Sequence, residues 1–157
     1  MTASHLDPTT LLRQAGLRVT RPRVAVLTAL EHRPHASSDE VIRAVREVET
    51  MSTQAGYDVL GILADHGLVR RIQPAGSVAR YELRTGDNHH HLVCRQCGSV
   101  SDVDCAVGET PCLVPGDDGG FAIDEAEVTY WGTCPSCTAR PDFVDRPHDP
   151  HRKERHD

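Results

Sequence analysis

Two Cys-x-x-Cys pairs, Cys94/Cys97 and Cys134/Cys137, constrain this chain more than any other feature. Each pair sets two thiols on one tight turn, and two such turns complete a closed tetrahedral shell without water. That is the donor set of structural zinc, whose binding contributes directly to folding. An iron–sulfur cluster is the other use of four thiols, and two unrelated pairs of buried cysteines is the reading without a metal. The first pair closes the run His89-His90-His91-Leu92-Val93-Cys94-Arg95-Gln96-Cys97, which holds three imidazoles and two thiols. The histidines are a second, separate supply of ligands.

At 157 residues the chain has room for two small domains, each with a modest core that a metal can reinforce. The formal charge of -6 argues at first against a nucleic-acid partner. The halves differ, however. Residues 1–85 carry 11 basic and 9 acidic side chains, net +2, whereas residues 86–157 carry 6 and 14, net -8. Wrapping of nucleic acid along the whole chain is disfavoured, and a localised contact through the first half remains open. No basic start followed by an apolar run marks a signal peptide, and no stretch reads as a membrane span. Six cysteines without an export signal favour metal binding or redox chemistry over a disulfide framework, and a cytoplasmic location.

Residues 8–15 read as a short helix stopped by Gly16. Thr20 caps a second helix from Arg21 to about Glu31, with Pro22 in its first turn and Val24, Leu27, Thr28 and Leu30 as its apolar stripe. Ser37 and Glu40 have capping-box spacing, opening a third helix that buries Val41, Ile42 and Val45. Ser52 or Thr53 caps a fourth, which carries Tyr57, Val59, Leu60, Ile62 and Leu63 and stops at Gly67. Residues 68–72 and 78–83 then read as two strands around a turn-rich connection. Helices followed by a two-stranded hairpin describe a winged helix. The helix-turn-helix pair is 38–47 and 53–66, the second of which lays its polar face in the major groove. Thr53, Gln54, Tyr57 and Asp58 supply that face, and Arg21, Arg23, Arg70, Arg71 and Arg80 are candidate phosphate contacts. A solvated surface charge is the bland alternative for each arginine.

Gly86-Asp87-Asn88 punctuates the sequence as a linker. Beyond it, residues 91–94 and 99–104 are expected as strands flanking a Cys-x-x-Cys-Gly knuckle, with Gly98 making the tight turn. Residues 105–120 are turn-rich with room for a short helix, and 127–132 alternate as a strand that delivers Cys134. Cys105 and Cys112 read either as inert thiols or as a reversible redox pair. Strand alternation sends His89 and His91 to one side and His90 to the other. A site of imidazoles and carboxylates suits Fe(II), Mn(II), Zn(II) or Ni(II). Glu82 and His35 reach such a site only if the two halves pack closely, in which case metal binding locks an inter-domain angle. Otherwise His35 is a surface histidine and the three consecutive histidines an incidental polar tract.

Residues 11 to 137 resemble the ferric uptake regulator family of metal-dependent bacterial repressors. The anchors are Leu17-Arg18-Val19-Thr20-Arg21-Pro22-Arg23, Tyr57-Asp58-Val59-Leu60, the His-His-His-Leu-Val-Cys-x-x-Cys-Gly run and the final Cys-x-x-Cys. The resemblance implies an α+β chain: a winged-helix DNA-binding domain over 1–85, a hinge at 86–88 and a small α/β dimerisation domain over 89–138. Beyond it, residues 139–157 are rich in proline, charge and histidine and read as a disordered tail. It implies a homodimer on double-stranded palindromic operator DNA, with structural Zn(II) at Cys94, Cys97, Cys134 and Cys137. A regulatory Fe(II) or Mn(II) is implied at His35, Glu82, His89 and His91. In the peroxide-sensing branch a further acidic ligand falls near Asp102. A third site is represented by His90 and Glu109, but Ala126 stands where its remaining histidine is expected.

The segment 102–112 and the strand ending at Trp131 look most like the branch that represses catalase-peroxidase and its own gene and responds to peroxide or redox state. The implied trigger is oxidation of His35 or His89 by peroxide at Fe(II), with cysteine oxidation at Cys105/Cys112 or the zinc thiols competing. An iron, zinc or nickel uptake regulator would use the same residues. From another class, a zinc hydrolase or deaminase would need an open metal position, and no His-x-Glu motif precedes the Cys-x-x-Cys. The expected protein is therefore a regulator and not an enzyme. Gly56 and Gly61 depart from the family pattern, and each costs a helix interior about 0.5–1 kcal/mol relative to alanine. They predict a weakened recognition helix that Gly56→Val would strengthen.

Overall fold

The computed structural model describes residues 7–73, 78–84, 89–104, 117–123 and 126–143. The first element, α1 (Pro8–Gln14), begins where the Asp7 carboxylate accepts from the backbone N–H groups of Thr9 and Thr10. After a turn at Gly16 (φ +71°), α2 (Arg21–His32) opens with Pro22 in its first turn and buries Val26, Leu27 and Leu30. Thr20 is its N-cap by position, but the hydroxyl makes no capping hydrogen bond. The two-residue strand β1 (Ala36–Ser37) leads into α3 (Ser38–Arg46) through the expected capping box. Ser37 Oγ accepts from the N–H of Glu40, and Glu40 Oε2 accepts from the N–H of Ser37. Ser52, not Thr53, caps α4 (Thr53–Asp65), accepting from the N–H of Ala55. Strands β2 (Val69–Ile72) and β3 (Arg80–Leu83) follow.

The helices close over one core of Leu12, Val26, Leu27, Leu30, Val41, Ile42, Val45, Leu60 and Leu63, which the sheet closes with Val69 and Tyr81. This is the winged helix the periodicity predicts, with one difference. The hairpin is not two-stranded: β1 pairs with β3, Ala36 opposite Tyr81 and Ser37 opposite Arg80, giving the order β1-β3-β2. Two residues are too few for a periodic signal, so sequence alone shows only the helix cap beside them.

A second sheet has the order β5-β4-β6, formed by β4 (His89–Cys94), β5 (Val100–Asp104) and β6 (Thr129–Gly132). β4 runs antiparallel to β5 and parallel to β6. It starts two residues earlier than expected, because His89 and His90 pair with Asp104 and Val103, so the histidine run lies inside the strand. β6 begins two residues later than expected, though His91 still donates to the carbonyl of Val128. The turn of α5 (Pro135–Thr138) closes the described chain, with Phe143 N donating to Arg140 O. Among the described residues no helix is long and apolar enough to cross a membrane.

Gly56 needs a correction. It is buried, and a Cβ there would stand 2.4 Å from Ile42 Cγ1 and 2.7 Å from Cδ1. The glycine lets α4 approach α3, so valine at this place would clash rather than stabilise. Gly61 differs: a Cβ there meets nothing within 4 Å, and the expected helix cost stands.

Candidate functional site

The four thiols predicted to act together are together. Cys94 and Cys97 sit on the turn between β4 and β5, Cys134 and Cys137 at the ends of the turn that forms α5, and the four sulfurs lie within 4.8 Å of one another. Gly98, at φ +69°, makes the turn that folds the first pair inward. Cys97 Sγ is 3.7 Å from Cys134 Sγ. Tetrahedral thiolates at zinc–sulfur distances near 2.3 Å lie about 3.8 Å apart, so the cluster fits zinc.

The surroundings already favour thiolate at part of the site. Burial would raise the Cys94 thiol, but backbone N–H groups of Cys134, Cys97 and Gln96 outweigh it and bring it to about 6. Hydrogen bonding to Ser99 lowers Cys97. Cys137 is pushed up to about 12 by burial and the three neighbouring thiols. Four like groups this close need a dication before all can ionise.

The second cluster joins the two sheets. Pro34 ends α2, and His35, held at φ +61°, turns its imidazole toward β3 and β5. His35 Nε2 is 3.0 Å from Glu82 Oε2 and 2.8 Å from Asp102 Oδ1, yet meets neither with hydrogen-bond alignment. From β4, His91 Nε2 is 3.2 Å from Glu82 Oε2 and His89 Nε2 is 3.2 Å from Glu82 Oε1. Asp102 Oδ1 lies 3.7 Å from His89 Nε2 and 3.8 Å from His91 Nε2. The donor atoms of His35, Glu82, His91 and Asp102 all lie within 4.8 Å of one another, close to the roughly 3–3.5 Å separation of ligands bound at about 2.0–2.2 Å, and His89 stands beside them at the other oxygen of Glu82. Glu82 is 3% exposed and His91 0%, whereas Asp102 forms the solvent edge. Burial works against a His35 cation, but Glu82 and Asp102 outweigh it and raise its pKa. Burial likewise works against a Glu82 anion, but the His35 imidazole beside it and the hydrogen bond with His91 hold it well below the usual carboxylate range. The donors are three imidazoles and two carboxylates, a set that fits a borderline divalent cation.

Of the four ligands implied for the hinge, His35, Glu82 and His91 gather around one point with Asp102, while His89 contacts the cluster through Glu82 Oε1. His90 points to the opposite side of β4, as alternation requires. It is 4% exposed, its ring meets Tyr130 edge-on, and its Nδ1 has no partner among the described residues. Glu109, Cys105 and Cys112 lie outside the described residues, as do residues 86–88 and residues 144–157 of the expected tail.

On α4, Thr53, Gln54, Tyr57 and Asp58 form one exposed face. Gln54 Nε2 donates to Asp58 Oδ1 (2.8 Å), Thr53 Oγ1 accepts from Arg46 (2.8 Å), and the Tyr57 hydroxyl donates to Asp39 of α3 (3.3 Å). Arg46 and Asp39 carry no signal in the sequence, because a side chain bridging two helices has no local pattern. Arg21 and Arg71 are exposed, and Arg71 donates to Gln73. Arg70 is half-buried with its guanidinium 3.8 Å from Glu82 Oε1, and Arg23 donates to the carbonyl of Arg18. Arg80 must be corrected: its guanidinium turns inward and donates to the carbonyl of His35 at 3.0 Å, so it is no surface phosphate contact.

A winged helix joined to a thiol-knotted sheet through a cluster of metal-ligand side chains defines a metal-responsive DNA-binding regulator. The chain belongs to the Ferric uptake regulator family, whose pattern matches residues 14–128. It is 61% identical over 139 residues to Ferric uptake regulation protein 1 of Mycolicibacterium fortuitum, covering 88% of this chain and 85% of that protein. It is 62% identical over 128 residues to Transcriptional regulator FurA of Mycobacterium bovis (81% and 87% covered). At 34% over 128 residues it also matches Peroxide-responsive repressor PerR of Staphylococcus aureus (80% and 86%). Among solved structures it is similar to the ferric uptake regulator of Pseudomonas aeruginosa with manganese, at TM-score 0.62 and 27% identity, covering 82% of this chain and 98% of that one. The protein is thus a metal-dependent transcriptional repressor and not an enzyme.

Proposed function

We propose that this repressor binds palindromic operator DNA as a homodimer in the cytoplasm and releases it when peroxide reaches Fe(II) at the hinge. In this reading residues 1–85 hold DNA, 86–88 form the hinge, 89–138 dimerise and 139–157 form the tail. The carrying observation is that His35 and Glu82 of the winged helix meet His91 and Asp102 of the second sheet around one point. A divalent ion held by both units fixes the angle between them, which fixes where each α4 of a dimer meets its half-site. Zn(II) at the four cysteines keeps the second sheet folded. Leu92 and Tyr130, paired and both about half-exposed, supply apolar surface for a second copy. Arg21, Thr53, Gln54, Tyr57, Arg70 and Arg71 are the proposed DNA contacts, with Arg70 needing to leave Glu82 to reach a phosphate.

Fe(II) bound there would supply one-electron chemistry with peroxide, damaging whatever coordinates it. His35 and His89 are the proposed oxidation targets, and loss of either would weaken the metal link between the two sheets. Catalase-peroxidase and the regulator's own gene are the proposed targets. A second reading, an iron, zinc or nickel uptake regulator, is favoured by relatives above 60% identity that carry the names ferric uptake regulation protein and FurA. One experiment separates them: operator binding with Fe(II), Mn(II) or Zn(II), before and after hydrogen peroxide, followed by peptide mass spectrometry. Loss of binding with Fe(II) but not Mn(II), with one oxygen added at His35 or His89, is expected. Indifference to peroxide with every metal would sink the peroxide reading and leave the uptake regulator.

A further inference from the structure

We propose that Arg80 is the positioning residue that carries hinge-metal occupancy to the DNA-reading helices, by holding the carbonyl of His35 beside the cap of α3. This rests on the hinge reading above. His35 is the only non-glycine residue among those described with a positive φ, a conformation L-residues leave unless something holds them. The holding contact is the hydrogen bond that Arg80 Nη1 donates to His35 O at 3.0 Å. The imidazole of His35 thus faces the metal ligands while its carbonyl is fixed from the other side. Two residues further on, Ser37 is the N-cap of α3, and its capping partner Glu40 places Oε2 4.0 Å from the same guanidinium. Arg80 also pairs with Ser37 in the sheet.

A displacement of His35 therefore has one rigid outlet, through β1 into the first turn of α3. That turn carries Asp39, which receives the Tyr57 hydroxyl of α4. From the second sheet, the thiol knuckle comes close as well: Arg80 Nη2 is 3.9 Å from where a side chain at Gly98 would begin. The Nε–H of Arg80 is buried without a partner among the described residues. A donor kept at that cost is kept for where the rest of the fork points. Lysine, with one rotatable ammonium, could supply the charge but not the fixed plane.

The test measures coupling from both sides on zinc-loaded full-length protein. The probe is a fluorescent duplex selected from a random pool by the Mn(II)-loaded wild type, with Mn(II) as the hinge ion. DNA affinity is measured with and without Mn(II), and Mn(II) affinity with and without DNA. Because coupling is reciprocal, the two factors must agree, and in Arg80→Met both are expected to fall by roughly tenfold with zinc content unchanged. Arg80→Lys is expected to lower both as well, and is read in its place should the methionine variant not fold. Wild-type coupling in both variants overturns the assignment. So does an equal loss of DNA affinity with and without Mn(II), accompanied by a salt dependence shallower by about one charge, the signature of a phosphate contact. A wild type whose DNA binding ignores metal overturns the hinge reading itself.

Discussion

Glu82 and Asp102 show how two carboxylates at one cluster come to differ. Glu82 is buried on β3 and touches three imidazoles, whereas Asp102 stands at the solvent edge of β5. A buried anion that accepts from several donors is costly to replace, since each donor then loses its partner inside the protein. Glu82→Gln keeps the shape and removes the charge. Mn(II) affinity at the hinge is expected to drop by at least about tenfold, one ligand charge at short range in a shielded site being worth more than 1.4 kcal/mol. Asp102→Asn, exposed to water, is expected to cost less. Isothermal titration of zinc-loaded protein measures both, and equal losses would show that burial does not rank these ligands.

The two glycines of α4 behave oppositely because only one is packed. Gly56→Val forces carbon atoms into Ile42 and is expected to destabilise by about 1–3 kcal/mol, with Ile42→Ala in the same chain relieving part of the loss. Gly61→Ala enters open space and is expected to stabilise by about 0.5–1 kcal/mol. Denaturant unfolding of the three variants checks both signs. Sequence patterning cannot separate these residues, because helix propensity is local and Ile42 lies on another element. The same limit runs through the fold. The helices are legible because a 3.6-residue period repeats within each, and the thiol cluster because each pair is local. β1 is illegible at two residues, and the start of β4 is hidden by histidines that carry no strand pattern. His35 reaches the hinge only through a positive φ and the packing of two sheets, neither of which spacing encodes. The role of Arg80 is illegible in sequence, because an arginine that holds a carbonyl and one that holds a phosphate are the same letter.

At the scale of the whole molecule the proposed hinge should make DNA binding a function of pH. His35 has a raised pKa, so its ion pairs with Glu82 and Asp102 stabilise the metal-free fold below 6.5 and fade as pH rises through the raised value. Glu82 has a lowered pKa, so its contribution is present above 4.5 and fades only as pH falls through the lowered value. Both are fully present between those two ordinary values, and there the metal-free protein gains most from the cluster. A divalent ion must displace the His35 proton to bind, so the same interactions that stabilise the metal-free state at mildly acidic pH oppose loading. Mn(II) affinity should therefore rise with pH by up to about tenfold per unit until the pH passes the raised His35 value, then level off. Calorimetry in two buffers of different ionisation enthalpy counts the protons released. A release approaching one below that value and falling above it is expected, whereas pH-independent affinity would mean that His35 is neutral before the ion arrives. Since the zinc thiols bind independently of this step, zinc content should stay constant across the neutral range. Operator affinity should follow the hinge alone, weakening on mild acidification while the fold is intact.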